Sequence, residues 1–125
     1  MSLTEHARFQ DVVNWMVDRT FSIDTVTLAA AQGDLQIGTV LTNDASAVKI
    51  TSAATAAKAA YVLVEPAANA VGTQAVHVLK FGPATVVESG LKFTTTEAAE
   101  ITAAKAALFT LSRIRVVDEA DFRTL

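Results

Sequence analysis

The sequence predicts an α+β fold: a small, mostly antiparallel β-sheet or barrel-like domain with one short C-terminal helix and an N-terminal arm. Three observations carry this prediction. From Thr25 onward apolar and polar residues alternate with period two, in segments parted by Gly, Pro, Asn and Asp. Only one stretch, opening at Thr94, combines start signals with helical spacing. Residues 1–24 also differ from all that follows, holding the only Trp, both Met and two of the six Phe residues.

The elements follow in chain order. Residues 1–24 form the arm and 25–125 a single domain, the usual outcome for a chain of 125 residues. Within the arm, Phe9, Val12, Val13 and Met16 recur at helical spacing, so a short amphipathic helix over 8–18, docked on the domain, is a second reading of the same stretch. Thr25-Val26-Thr27-Leu28 alternates strictly, and its β-branched residues suit a pleated surface. Gly33-Asp34 reads as a turn. Residues 35–41 form a second strand with Gly38 as a candidate bulge, Asn43-Asp44 closes it, and Val48 and Ile50 mark a short third.

Residues 52–60 are mostly alanine and too few for a helix stable on its own, so they read as a surface loop or a single helical turn. The run at 61–64 is continuously apolar, which predicts a strand buried on both faces, ended by Pro66. After a turn at 69–72 comes a long strand over 74–81. Gly82-Pro83 turns the chain, and 85–88 pairs back as a hairpin; Ser89-Gly90 turns it again before Leu91 and Phe93. Thr94 and Glu97 have capping-box spacing, and Glu97 and Glu100 place acid in the first turn, where the helix dipole favours it. Ile101, Ala104 and Leu108 mark the buried helix face. Residues 113–116 alternate as a closing strand with Arg113 and Arg115 on one side, and 118–125 form a polar, acidic tail.

Composition narrows the function. The chain is 51% hydrophobic but only 6% aromatic, with much of the rest alanine, so its core is modest and association with copies or with a larger surface would add stability. A net charge of −3 argues against a general nucleic-acid binder. Charges interrupt every apolar stretch well short of a membrane span, and Glu5, Arg8 and Asp11 break any signal-peptide core. Cysteine is absent, which removes thiol nucleophiles and Cys-ligated metal. His6 and His77 are far apart, no nucleophile elbow supports a triad from His77 and Ser89, no ligand cluster fits a metal, and the five glycines form no phosphate loop. His77 is expected on a strand face with a backbone partner. The chain reads as a non-enzyme without a cofactor.

Three segments resemble a known family. They are 22–28 leading through Gly33 to Leu35-Gln36-Ile37-Gly38-Thr39-Val40-Leu41; the run 76–87 followed by Leu91; and the helix with its terminal strand, 101–117. In order and spacing they are similar to the lambda-type bacteriophage head decoration proteins. The alanine-rich stretch at 52–60 departs from that family's pattern. The resemblance implies a capsid-stabilising homotrimer on the outside of the expanded head, made in the host cytoplasm and carried on the virion. Its partner would be the major capsid protein, with no nucleic acid, membrane or cofactor involved.

On that reading, the capsid-binding residues are Phe9, Val12, Val13, Trp15 and Met16, as apolar anchors of an arm that orders on the shell, together with Thr25, Val26, Thr27 and Leu28, as a strand that adds to a sheet edge. The alternatives are another phage structural component, at the head–tail joint or in the tail, and a small carrier or ligand-binding β module. The second requires a modifiable lysine at a tight hairpin, and Lys80 beside Phe81-Gly82-Pro83 lacks the flanking residues for it.

Overall fold

The computed structural model describes residues 12–16, 18, 22–69, 72–95 and 97–117, with the backbone alone at Asn14, Trp15 and Asn69. In chain order the elements are β1 (Val13–Met16), β2 (Ile23–Leu28), β3 (Gly33–Leu35), β4 (Val40–Thr42), α1 (Ala53–Ala56), β5 (Ala59–Leu63), β6 (Ala67–Asn69), β7 (Gln74–Leu79) and β8 (Ala84–Val87). A 3-10 turn (Glu88–Gly90), α2 (Ala98–Ser112) and β9 (Ile114–Val117) complete the series. The strands form three sheets, β2-β7-β5-β4, β1-β8-β9 and the ribbon β3-β6, none of which closes on itself. Every strand pairing but one is antiparallel, and α2 is the one main helix, so the predicted class is the observed one.

The central sheet separates two cores. Side chains of a strand point alternately to its two faces. Val62 and Leu79 accordingly enter one cluster, with Val40, Leu91 and the helix residues Ala104, Ala107 and Leu108. Their neighbours Leu63 and Val78 enter the other, with Leu28, Leu35, Leu41 and Val76. This explains why 61–64 is continuously apolar: the strand has no solvent face to keep polar. Ala104 and Ala107 have no bulk to hold α2 away from β5, so the low aromatic content is offset by close helix–sheet approach.

The parallel pair is β8 with β9, joined through α2. A parallel connection needs a crossover of a dozen or more residues, and the 15-residue helix supplies it. The expected hairpin between 85–88 and the preceding strand is therefore not formed. Gly82 donates its N–H to the Ser112 carbonyl at 2.7 Å, and the chain leaves β7's sheet to enter that of β1 and β9. A Cβ at Gly82 would overlap the Arg113 carbonyl, so the residue there is the only one that lets the turn touch the helix end.

Other departures have local causes. Within the stretch 8–18, where a helix is one expectation, Val12 is helical and Val13–Met16 form a strand, while 8–11 and 17 lie outside the described residues. The strand's register slips by one between Val13 and Trp15, and that bulge turns Val13 and Met16 to the same core although they are three residues apart, which imitates helical spacing. The strand expected over 35–41 is broken at Gly38, whose φ of +99° ends one strand and starts another. Gly33 opens β3 instead of making the turn, which falls at Ala30 and Ala31. Val48 and Ile50 flank single bridges at Ala47 and Lys49.

Residues 52–60 hold a true capping box, Ser52 with Thr55, and bury Ala56, Ala59 and Ala60, so the stretch is part of the core as well as of the surface. At α2 the N-cap is Glu97 and no Thr94–Glu97 capping box forms; Thr95, two residues before the cap, accepts the Glu97 N–H with its hydroxyl at 3.1 Å and donates to Glu100 at 2.6 Å. Arg113 is the left-handed helix cap and not a strand residue. Residues 118–125 lie outside the described residues.

Candidate functional site

The residues that sequence reasoning selects for binding divide sharply by burial. Phe9 lies outside the described residues. Val12 and Val13 are 0% and 7% exposed, packed with Val40, Val86 and Leu91, so neither side chain has surface to offer a partner. Their apolar character serves the core of this chain. Met16 is half-buried against the same core, and the Trp15 backbone pairs with Thr85. The stretch expected to be an arm is thus fastened to the body at β1.

On β2, Thr25 and Thr27 are exposed, Val26 is half-buried and Leu28 is buried in the second core. β2 is an edge strand of its sheet. Lys80 donates its N–H to the Ser22 carbonyl, and alternation then turns the backbone groups of Ile23, Thr25 and Thr27 away from β7. That outer edge is managed. The Thr27 carbonyl accepts the Ala47 N–H at 2.8 Å, and the Thr25 N–H donates to its neighbour's carboxylate, Asp24 Oδ1, at 2.8 Å. An incoming strand must displace that carboxylate, so the edge resists indiscriminate pairing.

Sequence reasoning missed a second surface. Phe81, Phe109 and Leu111 are 41%, 50% and 47% exposed, and the Gly82–Ser112 hydrogen bond joins the segments that carry them. The Lys80 ammonium lies 5.3 Å from the Phe81 ring centre and 5.9 Å from that of Tyr61, with Asp24 at 3.7 Å. The Arg113 guanidinium lies 5.7 Å from the Phe109 ring. Nothing in the local pattern marks these residues, because Phe81 ends a strand and Phe109 and Leu111 close a helix in positions that usually face inward.

Chemistry of a catalytic kind is not assembled among the described residues. His77 is exposed, and its ring nitrogen Nδ1 faces Glu65 Oε1 at 3.1 Å in place of the expected backbone partner. Its own N–H donates to Glu65 Oε2 at 2.9 Å. No three His, Cys, Asp or Glu residues converge as a metal site among the described residues. Asp44 is held below the ordinary carboxylate range, first by the Thr42 hydroxyl at 2.8 Å and then by Lys58 at 3.2 Å, which pins the bend after β4. Among the described residues no helix is long and apolar enough to cross a membrane.

Among the described residues the outward features are exposed rings and an edge strand, the elements of a binding surface and not of a reaction centre. The family model of the bacteriophage lambda head decoration protein D matches residues 2–113, and the chain belongs to that family. It is therefore a decoration protein of the phage head, a component of the virion, from a family that is structural and not catalytic. No curated protein matches the chain.

Proposed function

We propose that the protein binds the outer face of the expanded phage head as a homotrimer and stabilises the shell against the pressure of packaged DNA. The observation that carries this reading is the family match, which covers the N-terminal segment as well as the body. The partner is the major capsid protein; no enzyme activity, cofactor, nucleic acid or membrane enters. The protein is made in the host cytoplasm and ends on the capsid exterior.

A trimer presents three copies of any contact, so individually weak contacts become tight through effective concentration. Residues 1–24 supply the grip, with Phe9, Trp15 and Met16 as apolar anchors, Trp being a favoured hot-spot type. Thr25, Val26 and Thr27 continue the contact along the β2 edge. Val12, Val13 and Leu28 hold this segment to the body, so that shell contacts are transmitted to the folded domain.

Sedimentation of the purified protein with empty expanded shells, followed by negative-stain microscopy, tests the reading. Added density at three-fold positions supports it, and absence from shells at saturating protein refutes it. No structural observation favours the carrier alternative: Lys80, its one candidate for modification, is paired with Asp24 and only 26% exposed in its side chain.

A further inference from the structure

The face formed by α2 and β9 has a chemistry of its own. An open groove of about 390 Å³ there is lined by Glu88, Lys105, Ala106, Phe109, Arg115 and Val116. Half of Phe109 is exposed. Lys105 is taken up by Glu88 at 2.7 Å, which leaves exposed Arg113 and Arg115 as the cations that a partner would meet. β9 is also the edge strand of its sheet. On a chain of net charge −3, this is a local reversal of sign around an apolar ring and a strand edge.

The complementary chemistry is an acidic segment carrying a ring, and the chain has one: Asp118-Glu119-Ala120-Asp121-Phe122 holds three carboxylates and an aromatic within five residues. It lies beyond 2–113, the stretch matched to the family. We propose that residues 118–122 of one copy dock on the α2–β9 face of a second copy, with their carboxylates against Arg113 and Arg115 and Phe122 beside Phe109. Exchange between copies, as opposed to a fold-back onto the chain's own Arg115, is part of the proposal; a segment that kept the direction of β9 at roughly 3.4 Å per residue would set Asp121 about 20 Å from its own Arg115.

Donor segment and acceptor face are different surfaces, so the contact is heterologous and is satisfied throughout only when a ring closes. The inference rests on the trimer proposed above and assigns one of its contacts.

The absence of cysteine makes the test clean. Full-length Arg115→Cys and Asp121→Cys proteins are mixed, mildly oxidised and examined by non-reducing electrophoresis and intact mass. A covalent heterodimer is expected in the mixture. In the doubly substituted chain, interchain bridges leading to covalent trimer are expected; a bridge confined to one chain overturns the proposal. Arg115→Glu should raise the concentration at which the trimer dissociates at least tenfold, and adding Asp121→Arg should restore it, a rescue that an unfolded variant could not show. A wild-type trimer with no cross-link between 115 and 121 overturns this inference alone. A wild-type chain monomeric at every concentration overturns the trimer reading together with it.

Discussion

Gly38 and Gly90 pass with their backbones in contact: a Cβ built on Gly38 would overlap the Gly90 carbonyl oxygen. Around this crossing the Gly38 N–H donates to Leu63, Lys92 donates to Gly38, and Val40 donates to Lys92. One residue without a side chain thus ties β4 and β5 to the segment that leads into α2. Gly38→Ala combines a left-handed φ with an immovable backbone neighbour, and should cost about 3 kcal/mol or more. Thermal denaturation should show a fall of roughly 10 °C, and a change under 2 °C would contradict the close approach.

Leu108 and Leu111 stand one turn apart on α2, one at 0% and the other at 47% exposure. Leu108→Ala should lower stability by about 2–5 kcal/mol through the cavity it leaves. Leu111→Ala should change it by less than about 0.5 kcal/mol. Urea unfolding of the two variants measures both, and equal losses would mean that the helix face is misassigned.

Val12 and Trp15 separate the two roles of the N-terminal segment. Val12→Ala removes buried methyl groups and should cost about 2 kcal/mol whatever its effect on shells. Trp15→Ala, if Trp15 is an anchor for the capsid, should weaken binding to expanded shells at least tenfold and leave the melting temperature where it was. Because β1 contributes to the core, removing residues 1–20 is expected to unfold the body, and point variants are the informative ones.

Ser22 has a fully buried hydroxyl with no hydrogen-bond partner among the described residues. An unmade buried bond costs about 1–3 kcal/mol, so Ser22→Ala should be neutral or should stabilise by about 1 kcal/mol. Calorimetry decides this: a loss above about 1 kcal/mol would reveal a partner for the hydroxyl.

Asp44 has a lowered pKa, so its contribution to stability is present above the unfolded value of about 3.9 and is lost as pH falls through the lower, folded value. The difference in stability between the wild type and Asp44→Asn should therefore be constant near neutrality, begin to shrink as pH falls through about 4, and vanish only in stronger acid, below the lowered folded value. Denaturation midpoints at a series of pH values give the comparison, and a difference that persists at the acid end would assign the effect to something other than the charge.

Much of this fold was legible from periodicity. Strict alternation at Thr25-Val26-Thr27-Leu28 is a property of a few adjacent residues, as is the unbroken apolar run ending at Pro66, and so are the acid-led start of α2 and its Ala104 and Leu108 face. The composition change near residue 24 likewise pointed to the N-terminal segment before any contact was known. Pairing was not legible, because the partner of a strand is set by residues distant in sequence. β8 lies between β1 and β9 only because Gly82 meets the end of α2, and a bulge between Val13 and Trp15 disguised a strand as a helix.

The same division runs through the binding surface. Sequence alone determined that this is a small, cysteine-free α+β protein, and it marked the N-terminal segment as distinct in composition from the body. Only the tertiary structure decided that Val12, Val13 and Leu28 face the core while Phe81, Phe109 and Leu111 face outward. An apolar side chain carries no mark of which surface it will cover; the packing of non-local elements against it makes that choice.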